Sequence, residues 1–201
     1  MIWFTSDLHL GHENIIGYCD RPYASVDHMN IGLRDNWNMC VAEDDVVWVL
    51  GDLAMGRDRR ETLAWFGAEF QGEKHLVPGN HDKCWRGHGS VKSHQEWDAV
   101  YEAAGFEIHH GPVELAIPMN EHVLKLVELC HFPYAPVKDE YRDDRFDQFI
   151  TWRPENHGQP LLHGHIHGKK NLHENMIDVG VDANNYMPIS LEEIVRLVEK
   201  M

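Results

Sequence analysis

The sequence predicts an α/β domain in which apolar strands deliver polar residues to one end of a sheet. Three observations carry this. Short continuous apolar runs recur, as expected of strands buried on both faces of a layered sheet. Glycine turns leading into Asp, Asn or His follow several of them, and in open α/β sheets sites gather outside the carboxyl ends of such strands. Between them lie amphipathic segments with helix start signals. With 201 residues, 43% of them hydrophobic and seven of them Trp, the chain has material for a sizeable core. A single domain over residues 1–201 is expected, since no internal repeat or low-complexity linker interrupts it.

In chain order, Ile2-Trp3-Phe4-Thr5 is β-branched and aromatic and reads as the first strand, with Gly11 marking a turn. Ser25 is placed to cap a helix running to about Cys40, whose Val26, Met29, Leu33 and Trp37 form an apolar stripe. Val46 to Leu50 makes the second strand, Asp58 is placed to cap a helix to about Phe70, and Lys74 to Val77 makes the third strand. A helix is expected over Ser93 to Ala104, and His109-His110 before Gly111-Pro112 reads as a turn. Val113 to Ile117 and Val123 to Leu129 suggest a hairpin turning through Pro118-Met119-Asn120-Glu121. Leu124 to Cys130 ends in His131, and Leu161-Leu162 ends in the cluster from His163 to His167. Residues 134–158 read as a long loop at the rim of a site. Ser190-Leu-Glu-Glu193 is a capping box, followed by Leu191, Ile194, Val195 and Val198 on one helix face.

Five motifs then stand at predicted strand ends: Asp7-Leu-His9, Gly51-Asp52, Gly79-Asn80-His81-Asp82, His131 and Gly164-His165-Ile166-His167. A hydrolytic site built on two metals needs cations roughly 3.5–4 Å apart, a carboxylate to bridge them and room for a nucleophile. Hard and borderline donors of the Asp, Asn and His type suit that task. Asp7 and His9 are two residues apart, so on an extended segment both side chains leave the same face. With 16 histidines in the chain any one motif is weak; their order at strand ends is what counts.

With these motifs the chain resembles the calcineurin-like metallophosphoesterase superfamily, and within it the small bacterial and phage-type phosphodiesterases. The resemblance implies a four-layer αββα sandwich with two facing mixed β-sheets. It implies that Asp7, His9, Asp52 and His167 hold one metal and that Asp52, Asn80, His131 and His165 hold the other, with Asp52 as the bridge. His81 is implied as the general acid toward the leaving oxygen, or as a stabiliser of the transition state. The departure from the family pattern is Cys130 before His131, where many relatives have glycine or serine; only the histidine would ligate. His12 and Asn14 match a family stretch and are candidate substrate contacts, as is Arg21 in Arg21-Pro22-Tyr23.

Two roles stay open for Asp82: orienting His81, or binding the turn after Asn80. Arg153 joins Arg21, His12 and Asn14 as a candidate for phosphoryl charge. His163 reads as packed or hydrogen-bonded rather than ligating. Two divalent ions are the expected cofactors, Mn first, with Fe, Zn, Ni and Co admitted by the same donors. The superfamily's protein phosphatases usually carry an arginine after the second motif and Gly-Asn-His-Glu at the third. Here Gly51-Asp52-Leu-Ala-Met-Gly and Gly-Asn-His-Asp replace them, which favours a phosphodiesterase, with 2′,3′-cyclic nucleotides as first candidates.

A net charge of −15, with 18 Lys and Arg against 33 Asp and Glu, argues against long nucleic acid as a partner and for a small phosphodiester or nucleotide. A nuclease, a phosphomonoesterase and a non-enzymatic metal-binding scaffold remain the alternatives. Cys19, Cys40, Cys84 and Cys130 have no close pairing and read as reduced thiols. The N-terminal apolar run is interrupted by Ser6, Asp7 and His9, so neither a membrane span nor a secretory signal is expected, and the cytoplasm is the expected location. Exposed Trp side chains are expected to offer an interface for a homo-oligomer.

Overall fold

The computed structural model describes residues 1–135 and 149–201. Two five-stranded sheets form its frame. The first contains β1 (Ile2–Thr5), β2 (Val46–Val49), β3 (Glu73–Leu76), β4 (Phe106–Ile108) and β10 (Ile189–Ser190). Strands β1 to β4 run parallel in that order and β10 pairs antiparallel with β1. The second contains β5 (Val113–Pro118), β6 (Leu124–Leu129), β7 (Leu161–His163), β8 (Leu172–His173) and β9 (Met176–Asp178), in the order β5-β6-β7-β9-β8. Parallel pairs β6–β7 and β7–β9 are flanked by antiparallel β5 and β8, so both sheets are mixed.

The apolar runs divide by strand parity. Trp3, Val47, Val49 and Leu76 enter a core with Met29, Leu33 and Trp37 of α2 (Val26–Cys40), Leu63 and Phe66 of α3 (Arg59–Glu69) and Tyr101 of α4 (Val91–Ala103). Phe4, Trp48, Leu50 and Val77 enter a second core with Ile117, Val127, Leu129, Leu162 and Ile177 of the other sheet. Strands buried on both faces need no polar alternation, which is why β1 and β2 read as continuous apolar runs. Helix α5 (Leu191–Val198) adds Ile194, Leu197 and Val198 to the core between the sheets and touches β10, β1 and β5.

The paired mixed sheets follow the expectation; the fourth, helical layer does not appear among the described residues. The outer side of the second sheet is instead packed there by Trp85, Phe132, Tyr134 and Phe149 around Cys130 and Leu161. The part of the rim loop at 136–148 lies outside the described residues. Ser25 and Ser190 cap their helices by accepting the amides of His28 and Glu193. Ser90 does the same for Ser93, so α4 starts at Val91, two residues before the expected start. Asp58 precedes α3, but its side chain makes no capping bond. The six-residue α1 (Glu13–Tyr18) and short strands β4, β8, β9 and β10 carry too few residues for a periodic signal.

All four cysteines are free thiols. No helix among the described residues is long and apolar enough to cross a membrane. Of the seven Trp only Trp152, 40% accessible, is exposed, so several exposed Trp are not found; Trp3, Trp37, Trp48 and Trp85 are buried and Trp65 and Trp97 half-buried.

Candidate metal centre

Loops at the carboxyl ends of β1, β2, β3, β6 and β7 carry the five motifs. Their backbone is unusual. Asp7, His9, Asp52, His165 and His167 all have positive φ, between 49° and 74°, a region that disfavours side chains other than those of Gly, Asn and Asp. Asp7 and His9 therefore do not share a face through a pleated strand, as the spacing suggested: β1 ends at Thr5, and two left-handed residues turn both side chains inward. The loops also lie against each other. A Cβ at Gly51, whose φ is +88°, would overlap the Gly79 backbone and stand 2.6 Å from His131 Nδ1, so the second and third motifs meet only because that position is bare.

The candidate ligands converge. Asp52 Oδ2 stands 3.6 Å from His9 Nε2 and 3.5 Å from His131 Nε2. Asp7 Oδ1 is 3.9 Å from both His9 Nε2 and His167 Nε2. His131 Nε2 further meets Asn80 Oδ1 at 3.1 Å and His165 Nδ1 at 3.2 Å. Two triads thus have donor atoms within 4.8 Å of one another: Asp7, His9 and His167, and Asp7, Asp52 and His131. Asp7 Oδ1 and His9 Nε2 are buried without a hydrogen-bond partner, an arrangement that is costly unless a cation meets them.

Supporting contacts orient the rings. His131 Nδ1 faces the Leu50 carbonyl at 2.8 Å and His167 Nδ1 faces Asp182 at 2.8 Å, which leaves each Nε2 to the centre. The Asp7 carboxylate accepts the His165 amide at 2.9 Å, and that of Asp52 accepts the His81 amide at 2.8 Å. Burial, reinforced by Asp7 and Asp82 against the pull of His131, pushes the Asp52 carboxyl up to about 7. Burial opposes charge on His167, but Asp7 and the hydrogen bond to Asp182 prevail and raise it to about 11. The donor set fits divalent cations.

No family model matches this chain. It is 33% identical to the gene 66 protein of Mycobacterium phage D29 over 99% of the chain and 98% of that protein. The chain belongs to the gene 66 protein family. An uncharacterised protein of Methanocaldococcus jannaschii is 29% identical, over 99% of this chain and 92% of its own length. Among solved structures, a protein of unknown function from Aquifex aeolicus superposes with a TM-score of 0.66 at 26% identity, covering 98% of both chains.

In this gene 66 family member the remaining candidates take different places. Asp82 is fully buried and both its oxygens are occupied: Oδ2 accepts the amides of Asp52 and Gly79 at 2.8 Å, Oδ1 those of Leu53 at 3.1 Å and the Tyr101 hydroxyl at 2.9 Å. It binds the turn and the neighbouring loop, and does not orient the His81 ring. Arg21, expected at the substrate, is buried. Its guanidinium pairs with Asp182 at 2.8 and 2.9 Å and donates to the carbonyls of Asp7 and Leu8, so it braces the first ligand loop. His81 stands at the mouth, its ring 5.5 Å from that of His9. Burial, with His131 next, pulls its pKa down to about 4. His12 lies 5.5 Å from the His9 ring, whereas Asn14 is exposed on α1.

Arg153 is buried near the Tyr134 carbonyl, and its charge is felt at His165. A cleft lined by Trp85, Arg86, His110, Phe132 and Trp152 opens beside His131. His163 is buried with Nδ1 2.8 Å from the Gly164 carbonyl, the packed role expected of it. Cys130 points into the aromatic cluster behind the sheet, where burial pushes its thiol up to about 12. Sequence reasoning missed Asp182, which joins Arg21 to His167, and Asp178, which accepts the amides of Gly168 and Gly180. The run Asp178-Val-Gly-Val-Asp182 follows the apolar Met176-Ile177 as the other motifs follow their strands, a signal too short to stand out.

Proposed function

We propose that this chain is a two-metal phosphoesterase that hydrolyses small phosphodiesters, 2′,3′-cyclic nucleotides first among them. The observation that carries this is the position of Asp52, one carboxylate oxygen of which lies 3.6 and 3.5 Å from two histidine nitrogens on different loops. A carboxylate with those neighbours suits the bridging role. Asp7, His9, Asp52 and His167 would hold one cation, and Asp52, Asn80, His131 and His165 the other. When bound, the pair supplies Lewis acidity toward phosphoryl oxygens and a nucleophile drawn from water at neutral pH.

The chain's own groups supply the rest. His81 stands at the mouth with its backbone N–H donating to Asp52, and on this reading its ring, kept neutral by the lowered pKa, gives an N–H hydrogen bond to the departing oxygen. Arg153 adds positive charge on the His165 side. The surplus of carboxylates over Lys and Arg supports a small diffusible substrate over long nucleic acid.

The test is hydrolysis by chelated protein reloaded with Mn²⁺, Zn²⁺ or Ni²⁺, comparing bis-p-nitrophenyl phosphate, p-nitrophenyl phosphate and 2′,3′-cyclic AMP. Metal-dependent turnover of the two diesters in preference to the monoester is the expected result. Turnover of the monoester alone replaces the reading with a phosphatase. Inactivity with every metal leaves a binding scaffold.

A further inference from the structure

A second set of metal-type donors lies on strands that the proposed centre does not use. His75 on β3 pairs in register with Glu107 on β4, and His109 follows two residues later, so all three rise from one face of the first sheet at its open edge. His75 Nδ1 and His109 Nε2 share a hydrogen bond at 3.0 Å, Glu107 Oε2 lies 3.7 Å from the first and Oε1 3.7 Å from the second, and one donor atom from each of the three residues lies within 4.8 Å of the others. Four-coordinate zinc with bonds of ~2.0–2.1 Å places its ligand atoms about 3.3 Å from one another. The three residues stand within reach of such a set.

The surroundings are those of a prepared ligand. Glu73 meets the other nitrogen of His75 at 3.3 Å. A carboxylate there accepts the Nε2–H of His75 and so makes Nδ1 the unprotonated nitrogen that faces His109, the outer partner that metal-bound histidines usually have. The Trp48 indole holds both rings in place, stacked on His75 at 4.5 Å and tilted against His109 at 4.9 Å. The expected turn at His109-His110 is therefore more than a turn.

We propose that His75, Glu107 and His109 form a third cation site, separate from the dinuclear centre and selective for zinc-like borderline divalent ions. Its fourth position opens to water beside the exposed Glu107. A cation there ties the edge strand β4 to β3 and closes that edge of the sheet.

The experiment is the metal-to-protein ratio, by elemental analysis, of the full chain loaded with Zn²⁺ and desalted, for wild type, Glu107→Ala and His109→Ala. Glu107 is 66% exposed, so its variant keeps the wild-type melting curve without metal. Each variant is expected to hold one Zn²⁺ fewer per chain than wild type. Equal ratios in all three overturn the site. Failure of the dinuclear reading would lower the wild-type total but leave this difference of one, so the two proposals fail separately.

Discussion

The Asp82 carboxylate accepts the backbone N–H of Asp52 at 2.8 Å, so a residue from the third motif sets the position of the bridging candidate in the second. With Gly79, Leu53 and Tyr101 also donating to it, Asp82 is the knot between two ligand loops. Replacing it by Ala leaves three buried amides and a hydroxyl without an acceptor. Loss of about 3 kcal/mol is expected, by analogy with breaking one side of a buried charged contact. Tyr101→Phe removes a single bond from the same knot and should cost about 1 kcal/mol. Urea unfolding of the metal-free variants measures both. A smaller loss for Asp82→Ala than for Tyr101→Phe would refute its role as the knot.

With Asp52 as the proposed bridge, metal binding is expected to depend on pH. Burial first, then Asp7 and Asp82, hold its carboxyl up at about 7 against the pull of His131. A carboxyl raised above its unfolded value stabilises the metal-free fold fully below about pH 4, and that contribution is lost as pH rises through the folded value. A cation must also displace the Asp52 proton below pH 7 and not above it. The rise in Tm produced by Mn²⁺ or Zn²⁺ should therefore be larger at pH 8 than at pH 5.5. Asp52→Asn should abolish that rise while leaving the metal-free protein at pH 8 at least as stable as wild type. Scanning fluorimetry with and without metal gives both readings.

Arg21 and Asp182 form a buried pair at 2.8 Å that also reaches the candidate ligand His167. Arg21→Ala takes the guanidinium from Asp182 and leaves it His167 alone, at a cost of about 3 kcal/mol. It should weaken metal affinity by slackening the Asp7 loop, with little change in KM for diester substrate once metal saturates. A large rise in KM at saturating metal would instead return Arg21 to the substrate.

His81 separates turnover from binding. His81→Ala should lower kcat on bis-p-nitrophenyl phosphate by about 10²–10⁴-fold, the usual contribution of a positioned acid or base. Metal stoichiometry should stay at the wild-type value, because the proposed ligand set does not include His81. The loss should shrink for p-nitrophenol relative to poorer leaving groups such as the ribose alkoxide, since a good leaving group needs less help.

By itself the sequence determined the α/β class, the central strands and the residues that gather at their ends. Those features are local: β-branched apolar runs such as Val46-Val47-Trp48-Val49, caps such as Ser25 and Ser190, and a glycine turn before Asp52 each state their conformation within a few residues. Tertiary structure alone decided what those residues touch. The left-handed backbone at Asp7, His9, Asp52, His165 and His167 is disfavoured locally and persists because surrounding loops over-determine it. The assignments of Asp82 and Arg21 to bracing, and the arrival of Asp182 at His167, depend on contacts 29, 161 and 15 residues apart in sequence. The pairing of His75 with Glu107 follows from strand register, which one-dimensional spacing does not record. Residue chemistry is written along the chain, whereas the direction of each side chain and the charge it meets are set by the packing of distant segments.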